Sequence, residues 1–265
     1  MIRVADGAFA LVTGASSGIG EAIARKLAER KVPLLLAARS LGTLETLAAG
    51  WRARHGIAVE AVAADLAAPG GAASLLARTE AAGKPVDLLV NAAGFGWNGP
   101  QVEFPDARFL EMLRLNVMGT AELTHGVFRA MAARKRGAIL TVASTSAFLP
   151  MPYFAAYAAS KAFLLSFSQA LHEEAKRDGV TVTALCPGYT RTRFHETAGM
   201  KGAEATPFSE MTAEAVAEAG LRALERGKAF AVTDWRDRIW IVAGRLVPRT
   251  WPPKVAAAIF SKTRL

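Results

Sequence analysis

The sequence predicts a single α/β domain built on a doubly wound, Rossmann-like parallel sheet of seven strands, with helices on both faces. Three observations carry this. Short apolar runs alternate with longer stretches of helical periodicity. The runs are apolar almost throughout, as strands covered on both faces must be. A glycine-rich turn joins the first run directly to a helical pattern.

In chain order, the expected strands are Phe9–Thr13, Pro33–Ala38, Ala58–Ala63, Val86–Asn91, Ala138–Ala143, Val180–Cys186 and Ala229–Thr233. Between them, Ile19–Arg30, Leu41–His55, Ala107–Ala133 and Tyr153–Arg177 repeat their apolar residues with the 3.6-residue period of a helix. No low-complexity linker and no internal repeat interrupts the series. One domain is therefore expected over residues 1–235, followed by a basic extension over 236–265. Residues Thr190–Thr212 break the rhythm with Gly199, Gly202 and Pro207 just after the sixth strand. Ligands of open α/β sheets sit beyond the carboxyl ends of the strands, so this loop is placed either as a substrate lid or as an ordinary surface excursion.

With 265 residues, 52% of them apolar, the chain can bury a core without covalent staples. Cys186 is the only cysteine, which excludes an intramolecular disulfide and a thiolate metal cluster, and a reducing, cytoplasmic compartment is expected. The four histidines show no metal-ligand spacing. The first residues lack the apolar stretch of a signal peptide, and no apolar run is long enough to span a bilayer. The net charge of +9 is concentrated late: from Arg236 onward seven basic residues accompany one acidic residue. No zinc-finger or RNA-binding motif goes with that bias, so nucleic acid is not an expected partner.

The first strand runs into Thr13-Gly14-Ala15-Ser16-Ser17-Gly18-Ile19-Gly20. Glycines there let the backbone approach a pyrophosphate, and the following helix offers unpaired N–H groups at its positive end. The second strand ends in Arg39, with no carboxylate before Glu45. An acidic residue at that place holds the ribose 2′-hydroxyl of NAD, whereas an arginine pairs with the 2′-phosphate of NADP. NADP(H) is therefore the expected cofactor.

Three further segments are specific. Asn91-Ala92-Ala93-Gly94 closes the fourth strand, Ser144 closes the fifth, and Tyr157-Ala158-Ala159-Ser160-Lys161 lies in a long helix, with Ser144 13 residues before Tyr157. With Thr13–Gly20, Asn116 and Pro187-Gly188, they resemble the short-chain dehydrogenase/reductase family, in order and spacing, from about Phe9 to Thr192. Tyr157 and Lys161, four residues apart, share a helix face. An ammonium there favours the phenolate of a tyrosine whose ordinary pKa is about 10. Tyr157 then exchanges a proton with a carbonyl or alcohol oxygen, and Ser144 steadies the charge developing on it.

The resemblance implies more. Lys161 would also hold the nicotinamide ribose, and Asn116 would anchor a water in a proton relay, completing a catalytic set of Asn116, Ser144, Tyr157 and Lys161. Gly14, Ser16, Ser17, Gly18, Ile19 and Gly20 would cradle the cofactor, with Ser16 and Ser17 helping Arg39 at the 2′-phosphate. Asp65 and Leu66 would contact adenine, Asn91 and Tyr157 would also contact the cofactor, and Pro187, Gly188, Thr190 and Thr192 would line the nicotinamide end. The reaction implied is hydride transfer between NADP(H) and the carbonyl or alcohol carbon of a small molecule. An apolar pocket of Phe95, Trp97, Phe148, Met151 and Phe194 would make that molecule lipophilic: a 3-oxoacyl thioester, a steroid-like ketone or a long-chain aldehyde. A non-catalytic NADP(H)-binding regulator and a membrane-surface protein are the alternatives.

The sequence departs from the family pattern at Ala92, where a second asparagine is common, at Thr190, and above all at its C-terminal end. The acidic, glycine-rich turn that helps build a tetramer is replaced by Trp235-Arg236-Asp237-Arg238-Ile239-Trp240 and a further 25 residues. A homodimer through the family's fourth and fifth helices is expected instead. In the extension, Ile239, Val242, Ala243 and Leu246 fall on one helical face and Arg238 and Arg245 on another, before Pro248, Trp251-Pro252-Pro253 and a second segment, Lys254–Lys262. Three fates are open to that apolar face: docking on the body or a partner subunit, peripheral contact with an anionic membrane, or cover for a hydrophobic substrate.

Overall fold

A computed structural model describes residues 7–81, 83, 85–199 and 210–260. Its centre is a parallel sheet of β1 (Phe9–Thr13), β2 (Leu34–Ala38), β3 (Val59–Ala63), β4 (Val86–Asn91), β5 (Gly137–Val142), β6 (Val180–Cys186) and β9 (Phe230–Val232). Their spatial order is β3-β2-β1-β4-β5-β6-β9. A separate two-stranded pair joins β7 (Thr190–Arg191) to β8 (Met211–Thr212).

The apolar runs of the strands serve two cores at once. In β1, Ala10 and Val12 join the cluster on one face, with α1 (Gly18–Glu29), α2 (Leu41–His55) and α8 (Ala213–Glu225). Phe9 and Leu11 point the other way, to α3 (Gly71–Ala81), α5 (Thr120–Ala133) and α6 (Ala155–Ala175). Successive strand residues alternate faces, so only a run without polar residues can fill both layers. The expected strands are all present, their ends shifted by a residue or so.

The expected helix over Ala107–Ala133 is not continuous. It divides into α4 (Asp106–Leu113), a π-helical turn over Arg114–Gly119, and α5. Such a turn accommodates one extra residue and turns a side chain that regular winding would direct elsewhere. Here it carries Asn116, which is fully buried. Gly119 closes the turn against the Leu66 carbonyl, where any Cβ would collide.

The C-terminal extension forms α9 (Trp235–Leu246) and α10 (Trp251–Phe260). The expected apolar face does not dock on the body. Ile239, Val242 and Leu246 are exposed, while Asp237, Ile241 and Gly244 make the contact line at i, i+4 and i+7. Ile241 enters the cluster of Ala143, Leu164, Leu165, Ala184, Cys186 and Val232, and Gly244 lies against Leu149. A Cβ at 244 would stand 2.9 Å from the Leu149 methyls, so α9 approaches most closely along the line that carries its glycine. No helix among the described residues is long and apolar enough to cross a membrane.

Candidate active site

The turn after β1 is shaped by Thr13 and two glycines. The Thr13 hydroxyl accepts hydrogen bonds from the N–H groups of Ala92 (3.2 Å) and Ala93 (3.3 Å), clamping the turn to the end of β4. Gly14 has φ +64, and a Cβ on it would stand 2.7 Å from the Ala93 nitrogen; one on Gly20 would meet the Gly14 carbonyl oxygen. Only glycine fits either place. Ser17 is the N-cap of α1 in an extended conformation, and its hydroxyl makes no capping bond. A bare helix start beside a glycine turn fits a dinucleotide pyrophosphate. Thr192 faces Gly18 across this turn, its methyl 3.4 Å from where a Gly18 Cβ would be.

At the expected adenosine end, Arg39 Nη1 donates to Glu111 Oε1 at 2.9 Å. Asp65 is exposed and accepts from Ala67 N–H (2.9 Å), while Leu66 is buried. The Asn91 side chain turns inward, its Nδ2 donating to Thr124 Oγ1 (2.8 Å), so it anchors α5. At the opposite end, Pro187 accepts from Thr145 N–H (2.9 Å) and Thr190 Oγ1 donates to the Gly188 carbonyl (3.1 Å).

Asn116, Ser144, Tyr157 and Lys161 converge beyond the ends of β4 and β5. Asn116 is held at three points: Oδ1 accepts from Phe95 N–H (3.2 Å), and Nδ2 donates to the Phe95 carbonyl (2.9 Å) and to Ser160 Oγ (3.1 Å). Ser160 in turn donates to the Tyr157 carbonyl at 2.7 Å. Lys161 Nζ donates to the Val142 carbonyl (2.8 Å) and stands 5.7 Å from the Tyr157 ring centre. Ser144 caps the 3-10 turn Thr145–Phe148, accepting from Ser146 N–H.

The electrostatics correct one expectation. Burial pushes the Tyr157 phenol up to about 12, against the opposing hydrogen bond of Ser144, so the proton stays on the phenol. Burial likewise brings the Lys161 ammonium down to about 8, the charge interaction with Cys186 acting the other way. Desolvation of the buried phenolate outweighs the hydrogen bond that Ser144 offers it.

The apolar wall divides. Phe95, Trp97, Phe104 and Met112 cluster beside Tyr157, Trp97 stacks on Phe104 (4.7 Å), and Phe194 packs 5.3 Å from the Tyr157 ring centre. Phe148 does not join them: it lies with Phe230 and under Arg245 of α9, and the contacts that build this wall do not include Met151. The described part of the expected lid segment includes α7 (Phe194–Thr197) and is tied to the end of the wall, with Asn98 N–H donating to the Ala198 carbonyl (2.8 Å). Residues 200–209 of that segment and the His195 side chain lie outside the described residues.

Sequence reading missed three residues here: Ser160, Glu111 and Asp237. Asp237 is buried, its Oδ2 has no hydrogen-bond partner among the described residues and fills the space a Gly188 Cβ would take, and burial with the charge of Asp234 raises its carboxyl to about 6. Among the described residues no group of His, Cys, Asp and Glu is placed to hold a metal ion.

A Rossmann-like sheet carrying a tyrosine–lysine pair, a serine and a buried asparagine at its carboxyl edge defines an oxidoreductase class. Residues 8–203 match the family described as short chain dehydrogenase, and the chain belongs to that short-chain dehydrogenase/reductase family and is an enzyme of it. It is 31% identical over 227 residues to a very-long-chain 3-oxoacyl-CoA reductase of Anas platyrhynchos, covering 83% of this chain and 72% of that protein. The Rattus norvegicus protein of the same name is 31% identical over 192 residues, and there the chain spans 61% of the relative's length. A short-chain dehydrogenase from Sphingobium yanoikuyae, solved in complex with NADPH, shares the fold with a TM-score of 0.81 and 30% identity over 97% of this chain and 96% of its own.

Proposed function

We propose that this enzyme reduces the carbonyl group of a lipophilic small molecule with NADPH. One observation carries the reading: Tyr157, with Lys161 on the next turn of its helix, stands beneath an aromatic wall of Phe95, Trp97 and Phe194. The NADPH-bound relative and the two 3-oxoacyl-CoA reductases support cofactor and substrate class. NADPH supplies the hydride to the carbonyl carbon when bound. It would lie along the Gly14–Gly20 turn, with Ser16, Ser17 and Arg39 at the 2′-phosphate, Asp65 and Leu66 at adenine, and Pro187, Gly188, Thr190 and Thr192 at the nicotinamide.

Tyr157 Oη gives its proton to the carbonyl oxygen, and Ser144 donates a hydrogen bond to the same atom as it gains charge. Lys161 is the neighbouring acid able to return a proton to the phenolate. Asn116 fixes the Phe95 backbone, which borders the substrate. The deciding experiment is titration with NADPH and NADH by nicotinamide fluorescence, then a screen of 3-oxoacyl thioesters, bulky ketones and aldehydes. NADPH preference with turnover of apolar carbonyls is expected; binding of neither cofactor would sink the reading.

A second observation concerns location. Trp235, Ile239, Trp240, Leu246, Trp251 and Val255 are exposed on α9 and α10, with Arg236, Arg238, Arg245, Arg249 and Lys254 among them. Tryptophan and basic residues interleaved in this way suit an anionic bilayer surface, where indoles settle at headgroup depth. A two-fold dimer through this face would bring two copies of the same cation-rich patch together. A cytoplasmic enzyme peripheral to a membrane is the reading, its homodimer formed instead through the family's fourth and fifth helices, the helical segments that follow β4 and β5, where Leu110, Met118 and Phe163 are exposed. Co-sedimentation with phosphatidylglycerol vesicles at low salt, and not with phosphatidylcholine, is expected. Equal recovery in both supernatants would remove the membrane from the account.

A further inference from the structure

Arg39, the residue assigned to the 2′-phosphate, is already engaged. Its Nη1 donates to Glu111 Oε1 at 2.9 Å, and Glu111 Oε2 accepts from Arg108 Nη1 at 2.6 Å. The two ends of this bridge differ. Glu111 and Arg108 are three residues apart on α4, and Arg108 is itself held over the Phe95 ring at 4.2 Å. The carboxylate is thus fixed on its own helix, with only 24% of its side chain exposed. Arg39 reaches it from the end of β2, 72 positions away in sequence, with 62% of its side chain exposed. Arg39 is the partner free to leave.

The position of the bridge gives it a consequence. β1 lies between β2 and β4, and α4 follows β4. A link from the end of β2 to α4 therefore passes over the end of β1, where the Gly14–Gly20 turn begins. A phosphate bound by Arg39 brings a charge of about −1.5 to −2 to the same neighbourhood as the Glu111 carboxylate.

We propose that Glu111 is a positioning residue that sets the affinity for the 2′-phosphate, by holding Arg39 until the phosphate takes its place. This rests on the NADPH reading above. Glu111 opposes the phosphate in two ways of the same sign: it occupies the guanidinium the phosphate needs, and it repels the incoming dianion. Neither acts on a cofactor with a bare 2′-hydroxyl. Glu111 therefore weakens NADPH selectively and narrows the preference for it over NADH.

The experiment measures dissociation constants of NADPH, NADH, adenosine 2′,5′-bisphosphate and 5′-AMP by calorimetry for wild type, Glu111→Gln, Arg39→Ala and the double variant. An exposed ion pair is weak, so Glu111→Gln is expected to tighten NADPH and the bisphosphate by about two- to five-fold. NADH and 5′-AMP stay unchanged, and the gain shrinks in the Arg39→Ala background because the two residues act through one contact. Loosening of NADPH by Glu111→Gln would overturn the proposal, since the carboxylate would then be orienting Arg39 for the phosphate. No change, or an equal change for NADH, would overturn it too. The cofactor reading is judged separately, by whether the wild type prefers NADPH at all; if it does not, both fall.

Discussion

Asn116 Nδ2 donates to Ser160 Oγ at 3.1 Å, and Ser160 donates onward to the carbonyl of Tyr157 at 2.7 Å. Two residues 44 positions apart thus tie the π-helical turn to the helix that carries both Tyr157 and Lys161. The geometry makes Ser160 a brace between the elements that aim the proton donor. Removing its hydroxyl leaves one Asn116 N–H short of a partner in a buried place, at a cost of about 1–3 kcal/mol, while the Tyr157 carbonyl keeps its bond within the helix. Ser160→Ala is expected to lower kcat about ten-fold, an aiming loss of roughly that size following from small displacements of reacting groups. KM for the cofactor should stay within about two-fold. A variant that loses stability but keeps kcat would show the hydroxyl to be structural only.

Tyr157→Phe tests the proton donor itself. The ring keeps its packing against Phe194 and Phe154, so the fold and cofactor binding should stay near normal. General acid catalysis contributes about 10²–10⁴-fold, and kcat should fall by that much. Single-turnover hydride transfer, followed by loss of reduced-nicotinamide absorbance, is the measurement. Residual turnover above a tenth of wild type would remove Tyr157 from its role.

Arg39→Asp tests the 2′-phosphate site. A hydrogen bond to a charged group contributes about 1.5–3 kcal/mol, so NADPH binding should weaken by about 10- to 100-fold while NADH binding holds or improves. The ratio of the two dissociation constants is the readout. An unchanged ratio would place the phosphate on other residues and leave the Arg39–Glu111 pair an ordinary surface contact.

How much the sequence makes legible depends on how local each feature is. Strands such as FALVT declare themselves because two-sided burial forbids polar residues. Tyr157 and Lys161 are legible because four residues on a helix fix a shared face. Ser160 lies inside that same segment yet carries no sign of its partner, which approaches from a different helix. The π-helical turn is silent for another reason: inserting one residue into a helix leaves the apolar pattern of Ala107–Ala133 nearly intact. In α9 the apolar stripe is visible, but the helix docks through Ile241 and Gly244 instead, and hydropathy does not record how closely a backbone can approach. Arg39 is recognisable as a cation at a strand end; that Glu111 already holds it depends on a contact 72 positions away.

Asp237 gives a prediction with a sign that can be checked. Its carboxyl is raised from 3.8 to about 6 by burial first and by Asp234 second. The native state therefore holds the proton more tightly than the unfolded chain does. The contribution of this group to stability is greatest below about pH 4, where it is protonated in both states, and is lost as pH rises through about 6. Above pH 7 the carboxylate is ionised in the native state, with Oδ2 lacking a hydrogen-bond partner among the described residues, and it opposes folding. Asp237→Asn keeps the shape without the charge. Urea unfolding should find the variant more stable at pH 7.5, with the gap shrinking by about half at pH 5, where much of the native wild type is protonated. Because Asp237 abuts the loop of Pro187 and Gly188, the same variant should bind cofactor with less dependence on pH between 5 and 7. A variant less stable than wild type at pH 7.5 would mean that the carboxylate makes a bond the asparagine fails to replace, and that α9 is held to the loop by the charge rather than in spite of it.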